Sequence, residues 1–221
     1  MKRRSIHLNA GFIALSVAVI VAFMGPATAS AQWTILSNLP SNNGGSGGVS
    51  SETRRAVTFT TRATPLEVTQ VSMQLHDYVA PADVAYLSIN ANGGSSPGQQ
   101  IASLTAPTST NSGFGTFTFT SIGIPLAANT TYWLVISAQG TSTAFEWARS
   151  DPSVTPPQTD YATFGEQWIS YNSGETWAVG SNGAHSFSIT AVPEPGILHL
   201  LVPAALVGLL LFRRSRLPRH S

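Results

Sequence analysis

The chain has 221 residues, no cysteine and a formal net charge of +1. Without thiols there is no disulfide framework and no thiolate chemistry, so any fold outside the cytoplasm must rest on its core. The near-zero charge hides a segregation: residues 32–191 carry Arg54, Arg55, Arg62, Arg149 and no lysine against nine carboxylates, a net of −5, while most basic residues sit at the two ends. A lysine-free acidic segment offers no electrostatic footprint for nucleic acid.

In chain order, Lys2, Arg3 and Arg4 precede an apolar run from about Ala10 to Met24. Ala27-Thr28-Ala29 and Ala29-Ser30-Ala31 then offer two small-x-small cleavage sites. This is the pattern of a secretory signal peptide, with cleavage expected after Ala31, so residues 1–31 imply the Sec translocon and a signal peptidase as partners.

Residues 32–191 are one domain's length, enough to bury a core. They read as short strands with period-two alternation, separated by turns. Val57 and Phe59 share one face of Ala56–Thr61; Val71, Met73 and Leu75 do so in Thr69–His76; Val84–Asn90 and Gly115–Thr120 repeat the pattern. Tyr132-Trp133-Leu134-Val135-Ile136 is apolar on both faces, which predicts a central strand covered on both sides. Phe145 with Trp147, Trp168-Ile169 with Tyr171, and Phe187 with Ile189 continue the series. Turns are expected at Asn42–Gly45, Asn92-Gly93-Gly94, Ser112-Gly113, Asn172-Ser173-Gly174 and Ser181-Asn182-Gly183. Ser37–Ser51 reads as a mobile Gly/Ser/Asn segment and Asp151–Gln158, with three prolines, as an exposed loop. With no helical periodicity in this region, the fold class expected is all-β, an antiparallel β-sandwich of which a jelly roll is a natural version.

Residues 192–221 form a distinct tail. Val192-Pro193-Glu194-Pro195-Gly196 is followed by an apolar stretch to Phe212 and then by Arg213, Arg214 and Arg216. About 17 residues at ~1.5 Å each cover roughly 26 Å as a helix, near the lower limit for crossing a hydrocarbon core. Glu194 and Pro195 suit the first turn of such a helix, and the arginines form a basic stop on the cytoplasmic side. His199 and Pro203 interrupt the span.

Catalytic motifs are absent: no Gly-x-Ser-x-Gly elbow, no His-Glu-x-x-His, no phosphate-cradling loop and no EF-hand pattern. His76-Asp77 and His185-Ser186 are half-triads of a kind that abundant serine produces by chance, and both histidines are expected at the surface or at strand ends. Asp77 and Asp83 flank a loop and are oxygen ligands of the type calcium takes, at a generic spacing. Glu146 with Asp151, or Glu166 with Glu175, are carboxylate pairs whose separation nothing in the sequence fixes. Asn129-Thr130-Thr131 fits both a glycosylation sequon and a turn before a strand. The aromatics Trp147, Trp168, Tyr171 and Trp177 are candidate stacking platforms for sugar rings, weighed against ordinary core packing. No cofactor and no metal site is expected, and the chain reads as non-enzymatic.

The tail resembles the PEP-CTERM sorting signal of Gram-negative, exopolysaccharide-producing bacteria, through Val192-Pro193-Glu194-Pro195, the apolar run Leu198–Phe212, and Arg213-Arg214. The resemblance implies that Pro193, Glu194 and Pro195 are the recognition element for exosortase, a membrane-embedded protease or transpeptidase. It implies inner-membrane anchoring through the helix before processing, then the cell surface or extracellular matrix. The middle of the chain resembles the choice-of-anchor R domain, through Ser37-Asn38-Leu39, Ala56–Thr61, Leu87-Ser88-Ile89 before Ser96-Pro97-Gly98, Leu126–Val135, and Ser186–Ile189. That family is an extracellular domain carried on alternative surface anchors, and the resemblance implies no catalytic residues. The function expected is a sorted surface or matrix protein with a structural or adhesive role; the alternative is a carbohydrate-binding module for exopolysaccharide, with or without calcium assistance.

Overall fold

The computed structural model describes residues 31–40, 45–150, 154–180 and 183–194. The expected signal peptide, but for Ala31, lies outside the described residues. So do Pro195, the apolar helix and the basic stop Arg213, Arg214 and Arg216. Ala31–Glu194 forms a compact unit. Among the described residues there is no helix, and twelve strands fall into two antiparallel sheets.

The strands are β1 (Trp33–Ser37), β2 (Ser46–Val49), β3 (Arg54–Thr61), β4 (Leu66–Val79), β5 (Ala85–Asn92), β6 (Pro97–Leu104), β7 (Thr110–Leu126), β8 (Thr131–Ala138), β9 (Phe145–Ala148), β10 (Ala162–Ser170), β11 (Ala178–Val179) and β12 (Phe187–Pro193). The first sheet runs β1-β12-β4-β9-β2, with β7 on the other edge of β4. The second runs β11-β10-β3-β8-β5-β6.

β4 organises the first sheet. Its buried apolar residues are Leu66 and Val68, then Val71, Met73 and Leu75, then Tyr78. Each change of parity coincides with a register shift against β7, between Val68 and Gln70 and again between His76 and Tyr78. A bulge inserts one extra residue and so turns the following side chains to the opposite face. Asp77, at the second shift, has φ 58°, a left-handed conformation that aspartate tolerates better than most residues. The expected turn at Ser112-Gly113 lies inside β7 at this same irregularity, where Asn111 opposes Tyr78 and Phe114 opposes His76.

Both sheets send side chains into one core, which joins Ile35, Met73, Phe119, Phe145, Trp147 and Phe187 of the first sheet to Val57, Phe59, Ile89, Tyr132, Leu134 and Ile136 of the second. Each such Leu, Ile or Phe contributes roughly 1.5–3 kcal/mol when removed from water. Two further findings differ from the sequence reading. Ser46–Val49, inside the segment expected to be mobile, is a strand paired with β9. β12 runs on to Pro193, which pairs with Leu66, so the ordered chain extends past Ala191.

Candidate functional site

Alternation along β8 generates the site. Tyr132, Leu134 and Ile136 face the core, so Trp133 and Val135 emerge on the outer face of the second sheet. Both are nevertheless buried, because Trp168 and Trp177 cover them. Trp168 stands opposite Ala56 in the register, on the same outer face, with its ring centroid 5.0 Å from that of Trp133. Trp177 arrives from the β10–β11 loop and meets Trp133 edge-on at 5.9 Å.

The loop is shaped to deliver Trp177. The Asn172 side-chain carbonyl accepts from the Thr176 amide (3.0 Å), the Ser170 hydroxyl accepts from the Gly174 amide (2.9 Å), and Ser173 and Gly174 take φ 59° and 90°. Such Asn and Ser side chains close turns by replacing backbone partners. The Trp177 indole N–H then donates to the Gly174 carbonyl (3.0 Å). On the far side of Trp133, its own N–H donates to the Asn92 side-chain oxygen (2.9 Å).

Beside this cluster runs a groove of about 340 Å³ across β5, β6 and β8. Ser88, Asn90, Gln100, Ser103 and Ser137 supply its polar floor, with Trp177, Tyr86 and Arg54 at its sides. Ser88 donates to the Asn90 oxygen (2.8 Å), Asn90 donates to the Gly98 carbonyl (3.1 Å) and Gln100 to Ser103 (3.0 Å), so the amides are held in fixed orientations. Tyr86 is 53% exposed. Fixed amides and hydroxyls beside partly exposed rings offer oriented hydrogen-bond partners and an apolar stacking face side by side.

A second cleft, of about 290 Å³, opens past Trp168 and is lined by Arg55, Arg149, His185, Ile169, Tyr171 and the β11 backbone, among others. The Arg55 Nε donates to the Gly48 carbonyl (2.9 Å), and its guanidinium lies flat against Gly47, where any Cβ would collide with it. Burial lowers the pKa of Arg55, Tyr171 opposes that and nearby Arg149 adds to it. His185 is buried and stacked on Trp147, centroids 4.3 Å apart and planes 13° from parallel. Burial, reinforced by the Arg55 charge, pushes its pKa down to about 3, so the imidazole is neutral. Its Nδ1 and the Trp168 indole N–H are both buried without a hydrogen-bond partner.

The four aromatics singled out from the sequence divide. Trp147 is fully buried, and its indole N–H donates to the Ser186 carbonyl (2.9 Å); it is a core residue and no part of a platform. Trp168 and Trp177 are brought together on Trp133, and Tyr171 lines the second cleft at 71% exposure. Sequence reasoning missed Trp133 as the floor of the cluster, Tyr86, Asn90 and Gln100 in the groove, and the arginines. A signal for the last was present: three of the four arginines in residues 32–191 line these two clefts.

The other candidates stay apart. His185 lies at a strand end, just before β12, but buried rather than at the surface, and the Ser186 hydroxyl makes no hydrogen bond, so they form no nucleophile–base pair. His76 Nδ1 lies 3.1 Å from Asp77 and 3.7 Å from Glu146, with its ring packed on Phe114. Asp83 accepts the Val79 amide at 2.6 Å and closes a turn. Glu166 and Glu175 are both exposed, and Asp151 lies outside the described residues. Among the described residues no group of three His, Asp or Glu side chains is placed to hold a metal ion. Asn129, with φ 51°, occupies the turn before β8. Pro193 ends β12, and the Glu194 amide makes a last bond to the Pro65 carbonyl (3.3 Å). No protein-family model matches this chain, and no curated protein matches it in sequence.

Proposed function

We propose that this chain is an exported, non-catalytic surface or matrix protein that folds as a β-sandwich and adheres to exopolysaccharide through the outer face of its second sheet. The observation that carries the reading is the groove in which an oriented polar floor of Asn90, Gln100 and serines runs beside the half-buried Trp177. Stacking on a ring and hydrogen bonding to fixed amides together recognise sugars without requiring any reactive group. Binding of the full chain to immobilised neutral glucan, measured by retardation in affinity electrophoresis, tests it. Loss of retardation in Trp177→Ala and in Asn90→Ala is expected; retardation unaltered in both variants sinks the groove.

The sorting half of the proposal rests on the ends of the chain. Residues 1–31 direct export, and residues 192–221 retain the protein at the inner membrane for exosortase, which acts at Pro193-Glu194-Pro195 before release to the surface or matrix. In support, β12 ends at Pro193, so the motif begins where the ordered strand stops, and cleavage after Glu194 breaks no pair of the sheet. Fractionation of cells expressing the full chain and a version ending at Glu194 tests this. Retention of the first and release of the second is the expected outcome, and equal release of both rules out the anchor.

A further inference from the structure

The second cleft plays no part in the groove reading above, and its lining differs chemically from that of the groove. We propose that it binds the carboxylate of an acidic sugar unit, a uronate, in the same polysaccharide; the inference rests on the groove reading for the polymer and names its chemical class.

The charge distribution is the first reason. Residues 32–191 have net charge −5 and four arginines, yet Arg55 and Arg149 both line this cleft beside Trp168, and Arg54 lines the neighbouring groove beside Trp177. No carboxylate lines the second cleft among the described residues. In a domain that repels polyanions overall, this is where local attraction survives.

The second reason is the state of Arg55. Its Nε donates to the Gly48 carbonyl, no ion pair to it occurs among the described residues, and the Glu146 carboxylate acts on its charge only from a distance. Gly47 leaves room beneath the guanidinium, which a Cβ at that position would displace from where it lies. A planar, held and partly desolvated guanidinium is the form that recognises a carboxylate through two parallel hydrogen bonds. Desolvation also strengthens that contact relative to one in open water.

The third reason is the buried polar lining. His185 is 2% exposed, its Nδ1 has no partner, and the Trp168 indole N–H likewise has none. Buried polar atoms left unmatched by protein groups are costly, and these two mark hydrogen-bonding capacity in the cleft wall that no protein group uses. Tyr171 and Trp168 add the aromatic surface for the sugar face, which a site for a bare inorganic anion does not need.

The test uses the full chain in mild detergent with polygalacturonate and, separately, neutral glucan. Retardation by polygalacturonate is expected to weaken at least tenfold in Arg55→Gln and to fall with rising salt, while neutral glucan binding changes less than twofold. Should Arg55→Gln fail to fold, as judged by its thermal transition, Tyr171→Ala reads the same site from an exposed position and is expected to weaken polygalacturonate binding about threefold. With the unaltered chain, free galacturonate is expected to compete and galactose not to. Equal competition by both sugars, by neither, or by inorganic sulfate as effectively as by galacturonate overturns the proposal. Polygalacturonate binding indifferent to Arg55→Gln overturns it while leaving the groove intact. Arg55-dependent polygalacturonate binding that ignores Trp177→Ala, with no neutral glucan bound, supports the cleft and removes the groove.

Discussion

Trp147 and Trp177 carry the same side chain into opposite situations. Trp147 is enclosed between the sheets, stacked on a neutral His185, with its N–H taken by the Ser186 carbonyl. Trp177 is half-buried on the outer face, held by its own loop and open to the groove. The interior spends its aromatic surface on contacts that only unfolding can break. The outer face keeps a share of that surface available, and the oriented amides and Arg54 gather there, while Arg55 and Arg149 line the cleft past Trp168. Binding and stability are therefore separable by residue, and that separation can be attacked directly.

The largest effect belongs to the interior and to acid. His185 titrates near 3 when folded and near 6.5 when unfolded, so the unfolded chain takes up the proton first. The stability contributed by the neutral imidazole is whole above about pH 6.5 and is lost as pH falls towards 3, approaching ~5 kcal/mol at the acid end. Urea denaturation at pH 7 and pH 4 reads it, and His185→Gln is expected to flatten the dependence; an identical slope in the variant assigns the acid sensitivity elsewhere. Next, Trp147→Ala costs roughly 3–5 kcal/mol in the same assay, while the folded fraction binds polysaccharide as before. A Trp147→Ala chain that is stable but fails to bind would erase the distinction between the two regions.

In the groove and the second cleft the stability effects shrink and the binding effects grow. Gly47→Ala forces the Arg55 guanidinium off its seat, at a cost of about 1–2 kcal/mol, and weakens polygalacturonate binding with neutral glucan binding unchanged. Trp177→Ala uncovers Trp133 and costs about 1–2 kcal/mol, together with about tenfold in glucan retardation. Tyr171→Ala, at a 71% exposed position, changes stability by no more than about 0.5 kcal/mol. A destabilisation as large as that of Trp147→Ala at either Trp177 or Tyr171 would show that the outer face is a second core.

Where alternation was unbroken, the sequence sufficed. β3, β5, β8 and β12 were legible from their apolar parity, and the Tyr132–Ile136 run announced cover on both faces. Where the chain changes parity, it misled. Only Val71, Met73 and Leu75 of β4 were visible as one face, because the bulges at Thr69 and Asp77 turn the flanking residues over. β2 and β6 escaped notice since their glycines, serines and glutamines carry little apolar signal, and pairing to a neighbour makes them strands. In the candidate site, Trp168, Tyr171 and Trp177 were identified by type, whereas Trp147 could not be told from them until its neighbours were known.

Two things were thus settled by the residues alone: an all-β, disulfide-free chain with lysine-free acidic character, and an apolar run with basic residues at each end. Both come from composition and local periodicity, which need no knowledge of contacts. Which tryptophan is core and which is open, why Arg55 and Arg149 line one cleft, and why a Cβ at position 47 would meet a guanidinium were decided by the tertiary structure. Those properties depend on strands distant in sequence: β3, β9, β10 and the segment before β12 converge only when the sheets close on their shared core. Side-chain environment is a property of neighbours, and antiparallel pairing chooses neighbours by register rather than by proximity in the chain.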